Sequence, residues 1–174
     1  QEVRFQSGQL VKKGDVLFYR EARLPPGNYT VEFIAYDGPT GQVNARKSAI
    51  EIPSMDETKP RLSSVSVLRR AEQLTPDEQK RDQPFRFGEL LVYPNLGEPI
   101  LKSLAKQLAY FFTVWPARGS TATLPLTLEI LQNNRSLGKT SGKLPPPDEQ
   151  GQIKYASSFP LDKFQPGAYQ LKVT

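Results

Sequence analysis

Gln165-Pro166-Gly167-Ala168-Tyr169-Gln170-Leu171-Lys172-Val173 is the stretch on which the reading of the fold turns. A proline presets φ and a glycine accepts positive φ, so the Pro-Gly pair reverses the chain. Past the turn, Tyr169, Leu171 and Val173 alternate with polar residues, the period of a strand with one buried face. The same unit stands near the other end, where Pro25-Pro26-Gly27-Asn28-Tyr29 leads into Val31 and Phe33. The segments upstream also match. Gly14 to Leu24 and Gly151 to Leu161 have equal spacing, with Val16 over Ile153 and Phe18 over Tyr155. A tyrosine two residues after the glycine, ahead of an alternating strand, is the pattern of the tyrosine corner of immunoglobulin-like sandwiches. There the phenol bonds to backbone a few residues upstream. A plain Pro-Gly turn with an incidental tyrosine would read the same once. Its occurrence twice favours Tyr29 and Tyr169 as structural corner residues.

Working outward, the spacing predicts an all-β chain. With 16 Pro and 12 Gly in 174 residues, long helices do not survive and short strands joined by turns do. Asp37-Gly38-Pro39-Thr40-Gly41 reads as a hairpin turn into a strand from Val43 to Ile52, closed by Pro53. Residues 54–60 are polar and unpatterned, a linker. A new strand begins with Leu62, Val65, Val67 and Leu68. Thr75-Pro76-Asp77-Glu78 has the cap, proline and acids of a short helical turn. Strands follow over Phe85–Tyr93, 107–115, Leu124–Leu131 and Ser136–Leu144, with Asn133-Asn134-Arg135 turning the last pair. Residues 100–105 read as turn. The regular short spacing predicts immunoglobulin-like β-sandwich modules. Residues 1–53 read as the C-terminal part of one sandwich, and 61–174 as a second that lacks its last strand. The strand ending at Val173 is thereby expected to present an open edge beside Leu171 and Val173.

The chain has no His and no Cys, which removes imidazole bases, thiolate or imidazole metal sites, Ser-His-Asp and Cys-His nucleophiles, and disulfides. Carboxylate pairs remain: Asp56/Glu57, Asp77/Glu78 and Asp148/Glu149. All lie in Pro-bounded polar loops, where carboxylates stay solvated, whereas glycosidase chemistry needs one raised by burial. The Asp37 turn supplies one carboxylate where a hard cation wants several. Ser63-Ser64 and Ser157-Ser158 have no base beside them in sequence. The expectation is a protein that is not an enzyme and needs no metal or cofactor. Net charge is +5, from 23 basic and 18 acidic residues. The basic pairs are interleaved with acids, and none extends into a nucleic-acid-binding arm. No stretch has the length of an apolar membrane span.

Aromatic residues carry the remaining functional hint. Alternation through Tyr110-Phe111-Phe112-Thr113-Val114-Trp115 places Phe111, Thr113 and Trp115 on one face and Tyr110, Phe112 and Val114 on the other. A strand covered on both sides has this composition, and so does an exposed platform for sugar faces. Tyr110 and Trp115 are therefore the candidate ligand-binding residues, for a cell-envelope polysaccharide such as peptidoglycan.

Leu24-Pro25-Pro26-Gly27-Asn28-Tyr29, Leu62-Ser63-Ser64 with Leu68-Arg69-Arg70, Pro84-Phe85-Arg86, Tyr93-Pro94-Asn95-Leu96-Gly97 and Gly151-Gln152-Ile153-Lys154-Tyr155 recur in a known family. Over roughly residues 14–174 the chain resembles the region that follows the von Willebrand A-type domain in the VWFA-related proteins of acidobacteria. The resemblance implies immunoglobulin-like domains in a secreted or cell-envelope (extracellular or periplasmic) bacterial protein of unsettled function. The Asp-x-Ser-x-Ser metal-adhesion pattern of an A-type domain is absent from this sequence, so no metal site carries over. The joint expectation is a non-catalytic structural or protein-interaction region of a larger exported protein. The alternative is a carbohydrate-binding module. The partner is an unidentified protein or envelope polysaccharide, with no nucleic acid, and a monomer is favoured because the short 54–60 linker needs no exchange partner.

Overall fold

Val31, Phe33, Ile34 and Tyr36 bring β-branched and aromatic residues to the first strand. In the computed structural model, which describes residues 22, 24–80 and 85–174, they lie on β1 (Gly27–Asp37). β1 pairs antiparallel with β2 (Gln42–Ile52) in unbroken register from Gly27↔Ile52 to Asp37↔Gln42. The hairpin closes where Gly41, at φ 68°, donates its N–H to the Asp37 carbonyl at 2.7 Å. Here glycine is required, because the loop turns through the left-handed region. The strand expected between Gly14 and Leu24, with Val16 and Phe18, lies outside the described residues apart from Ala22 and Leu24. The chain divides into two compact units, Gln1–Pro53 and Ser54–Thr174, and this hairpin belongs to the first.

In the second unit the chain runs through β3 (Arg61–Leu62), β4 (Ser66–Gln73), a 3₁₀ turn (Glu78–Lys80), β5 (Arg86–Phe87), β6 (Leu90–Pro94), β7 (Gln107–Trp115), β8 (Pro125–Gln132), β9 (Arg135–Lys143), β10 (Ile153–Pro160) and β11 (Gln170–Val173). One sheet has the order β10-β7-β4-β6-β5, with β3 also on β7; the other has the order β11-β8-β9. The two sheets pack on each other. Tyr110, Phe112 and Val114 of β7 and Ile153 of β10 meet Leu126 of β8 and Leu144 beyond β9 in one core. Phe112 is wholly buried and its ring stacks on Tyr155 at 5.1 Å. The fold is all-β, two packed antiparallel sheets, as the short spacing of turns predicts.

β3 and β4 run along the same edge of β7 and are separated by a β-bulge. Leu62 pairs with Val114 and Ser66 with Phe111, so the register changes by one residue between them. Ser63 fills the step. Its N–H donates to the Thr113 carbonyl at 2.9 Å, and its hydroxyl accepts the Thr113 N–H at 2.9 Å. The Ser63 hydroxyl is thus committed to the sheet.

Three details differ from the sequence reading or refine it. Phe85–Tyr93 is a hairpin rather than one strand, with Arg86↔Leu91 and Phe87↔Leu90 flanking a two-residue loop. Gly88, at φ 56°, makes that loop, and a glycine at the first loop position suits a tight hairpin. Past the bulge, β4 runs between β7 and β6 as far as Gln73, across Arg69-Arg70, whose side chains stay exposed: Arg69 meets Glu98 at 3.3 Å and Arg70 lies 4.1 Å from the Tyr93 ring centroid. The 54–60 stretch is bonded into the second unit: Arg118 donates its N–H to the Glu57 carbonyl at 2.8 Å, and its guanidinium meets the Glu57 carboxylate at 3.2 Å.

Candidate interaction surface

β7 decides what the aromatic run offers. Tyr110 is 2% exposed and faces inward with Phe112 and Val114. Burial pushes its phenol pKa up, an effect partly offset by a hydrogen bond with Ser157, which sits opposite it on β10. Trp115 lies on the other face, half-buried, with the Arg61 guanidinium 5.7 Å from its ring centroid. Phe111, also on that face, meets Phe87 edge-on at 6.0 Å. The strand therefore does not bring Tyr110 and Trp115 into one platform. The odd spacing of five puts the two residues on opposite sides of the strand, and Tyr110, packed among Phe112, Tyr155 and Phe159, has no open ring face for a sugar.

Both corner tyrosines donate their hydroxyls to backbone four residues upstream, Tyr29 to the Pro25 carbonyl at 2.8 Å and Tyr169 to the Gln165 carbonyl at 2.7 Å. Both side chains are half-buried. In the second unit a row of rings links the corner to the core. Tyr169 meets Phe164 edge-on at 5.2 Å, Phe164 lies 5.5 Å from Phe159, and Phe159 lies 6.2 Å from Tyr110. The turn has a second tie. The Lys102 ammonium donates to the Asp162 carbonyl at 3.0 Å and to the Phe164 carbonyl at 2.7 Å. No signal in the sequence connects Lys102 to a turn sixty residues away.

Among the described residues of the second unit, no strand covers one flank of the sandwich. Between β4 and β11 lies a concavity of about 520 Å³, and Val67, Leu108, Ile130, Phe159 and Leu171 contribute to its wall. Further along the same flank, between β3 and the end of β11, a second of about 240 Å³ is bordered by Leu62, Val114, Leu126 and Val173. Both concavities face the gap between the two sheets. Alternation identifies these residues as inward-facing, but it does not say which flank lacks cover, so the sequence reading missed them as a surface.

The loop carboxylates serve their own turns. Asp148 accepts the N–H groups of Gln150 and Gln152, each at 2.9 Å, and Glu78 accepts the Thr75 N–H at 2.9 Å in a reciprocal cap. Asp77 pairs with Lys80 at 2.8 Å. The side-chain and backbone hydrogen bonds from Thr58 hold the Asp56 carboxyl below its usual pKa. Thr40 donates its hydroxyl to Asp37 within the first hairpin, and Ser158 donates to Gln107 at 2.9 Å. Among the described residues no three His, Cys, Asp or Glu side chains gather as a metal-binding group, and no helix is long and apolar enough to cross a membrane. No family model, curated protein or solved structure matches this chain.

Proposed function

We propose that the chain consists of immunoglobulin-like modules and serves as a non-catalytic structural and protein-interaction region of a larger secreted or cell-envelope bacterial protein. The observation that carries this reading is the connectivity of the second unit. β7 and β8 lie in different sheets, β10 returns to β7, and β11 returns to β8. That is the alternation of strands B, C, E and F in an immunoglobulin-like sandwich, with β3 and β4 in the place of A and β9 in the place of C′. The hairpin of β5 and β6 is then an excursion between A and B. The Tyr169 hydroxyl bond falls at the turn before the F-like strand, where a tyrosine corner belongs. The resemblance to VWFA-related proteins supports the exported setting.

Fractionation of cells that make the full-length parent tests the reading. The region is expected outside the cytoplasm, in the periplasmic, envelope or secreted fraction. Recovery in the cytoplasm overturns the exported setting. Turnover of a glycan or peptide substrate by the purified chain overturns the non-catalytic part.

A further inference from the structure

β9 lies between β8 and β10 in sequence and forms an edge of its sheet. All its residues are exposed, and no strand pairs with its far side among the described residues. Backbone direction tells which of its groups are spare. Thr127 and Thr174 exchange both N–H···O bonds, so odd-numbered residues of β8 face β11 and even-numbered ones face β9. Leu144, which donates its N–H to the Leu124 carbonyl at 2.9 Å, agrees. Gly142, Thr140 and Gly138 stand opposite Leu126, Leu128 and Ile130 and bond to β8. Lys139, Ser141 and Lys143 therefore direct their N–H and C=O groups to the free edge.

Two features of this edge have no use within the chain. Lys139 and Lys143 make no ion pair among the described residues, although Glu129 stands in register with Lys139. Arg135 has none either, and the strand carries no carboxylate. Gly138 and Gly142 are interior to the strand, where glycine weakens pairing. Neither has a positive φ, and a Cβ on either would meet nothing within 4 Å. Strain and crowding thus leave both glycines unexplained, whereas close approach of another backbone explains them. Edge lysines by themselves discourage pairing, but that purpose needs no open space at two interior positions.

We infer that the free edge of β9 docks one antiparallel, extended acidic segment of another protein, by the β-augmentation mode of peptide recognition. Carboxylates four residues apart stand directly opposite Lys139 and Lys143, and bulky apolar side chains on the other face cover Gly138 and Gly142. Charge selects the occupant. A second copy pairing about Ser141 sets Lys139 against Lys143 twice, and like charges directly opposite are destabilising. Nor does this sequence contain the complementary strand. Its only Asp or Glu pair four apart is Glu78 and Asp82, and Glu78 is held in the 3₁₀ turn by its cap with Thr75. The inference deepens the interaction-region reading, rests on it, and names the partner's chemistry.

The probe is a synthetic peptide containing Glu-Phe-Thr-Val-Glu-Phe, added to the full chain at low salt, where exposed charges are least screened. A second peptide has lysine in place of both glutamates. The glutamate peptide is expected to slow amide hydrogen exchange at Lys139, Ser141 and Lys143 about tenfold or more, and the lysine peptide to leave it unchanged. Lys139→Glu combined with Lys143→Glu should reverse that preference. If this variant loses its fold, the two peptides on the parent chain decide. Unchanged exchange with the glutamate peptide, equal slowing by both peptides, or an unreversed preference in the folded variant overturns the inference and leaves the lysines as guards of the edge. Protection of these amides without peptide, growing with chain concentration, overturns it in favour of a second copy. None of these readouts concerns location or turnover, so a failure here leaves the proposed function standing.

Discussion

Replacing Tyr169 with phenylalanine removes a single hydroxyl and keeps the ring, so it isolates the corner bond from the packing around it. The bond is short, 2.7 Å to the Gln165 carbonyl, and the ring retains its edge-on contact with Phe164. Two magnitudes compete. A buried carbonyl left without a donor costs about 1–3 kcal/mol, whereas a carbonyl that water can reach costs only the net value of the bond, about 0.5–1.5 kcal/mol. Gln165 is exposed and Tyr169 half-buried, so water replaces the lost donor and the smaller figure applies. For a unit of this size that corresponds to a melting temperature lower by about 2–6 °C. Thermal and urea melts of Tyr169→Phe beside the parent chain measure it, with an unchanged urea slope as the sign that the fold persists. The expected result is a shift in that range. A melt that superimposes on the parent would mean that Pro166, Gly167 and the two Lys102 bonds hold the turn unaided. The corner argument, and the equivalence of β1 and β11 built on it, would then fall.

Phe112→Ala should cost about 3–5 kcal/mol, because the ring is wholly buried and stacked on Tyr155; urea unfolding measures it, and a loss under 1 kcal/mol, far below the usual penalty, would contradict the core described above. Trp115 is half-buried beneath the Arg61 guanidinium, so acrylamide should quench its fluorescence to an intermediate degree and more strongly in Arg61→Ala; no change on that substitution would mean the guanidinium does not shield the ring. Burial raises the phenol pKa of Tyr110 above 10.0, and burial with the Glu72 carboxylate beside it raises that of Tyr93. The folded state then holds these protons longer than the unfolded chain. Their contribution is whole below pH 10 and is lost as pH rises through the folded values. Urea midpoints should accordingly fall above pH 10, and the fall should shrink in Tyr110→Phe; an equal fall in both proteins would refute the assignment.

The sequence made the strands legible wherever local chemistry had one outcome. Asn133-Asn134, with φ of 50° and 61°, is a loop in which both residues take the left-handed region, and asparagine is the side-chain-bearing residue that does so readily. The aromatic run at 107–115 lies on a buried central strand as its composition implies. Gly88 was harder to read, since a glycine inside an apolar run also fits a continuous strand, and only its positive φ reveals the turn. Tyr110 and Trp115 shared a composition argument but not a face, and parity along the strand separates them. The open flank was invisible for a different reason. Alternation reports that Val67, Leu108 and Ile130 point inward, while the presence of cover depends on strands that pair across long separations. Lys102 belongs to the same class, a contact made by topology alone.

The bulge between β3 and β4 bears on how this edge responds to changes in chain length. Leu62, Val65 and Val67 all face the core side, and the step from 62 to 65 is three rather than two because Ser63 and Ser64 share one rung of the ladder. A strand that slips by one residue normally turns its whole apolar set toward water. Here the reverse holds. Removing Ser64 would restore a plain ladder with the same three side chains facing inward. At this one place, a single-codon deletion should leave the hydrophobic frame of the edge in phase, whereas the same deletion at Ser66 would shift Leu62 and Val65 out of step with Val67.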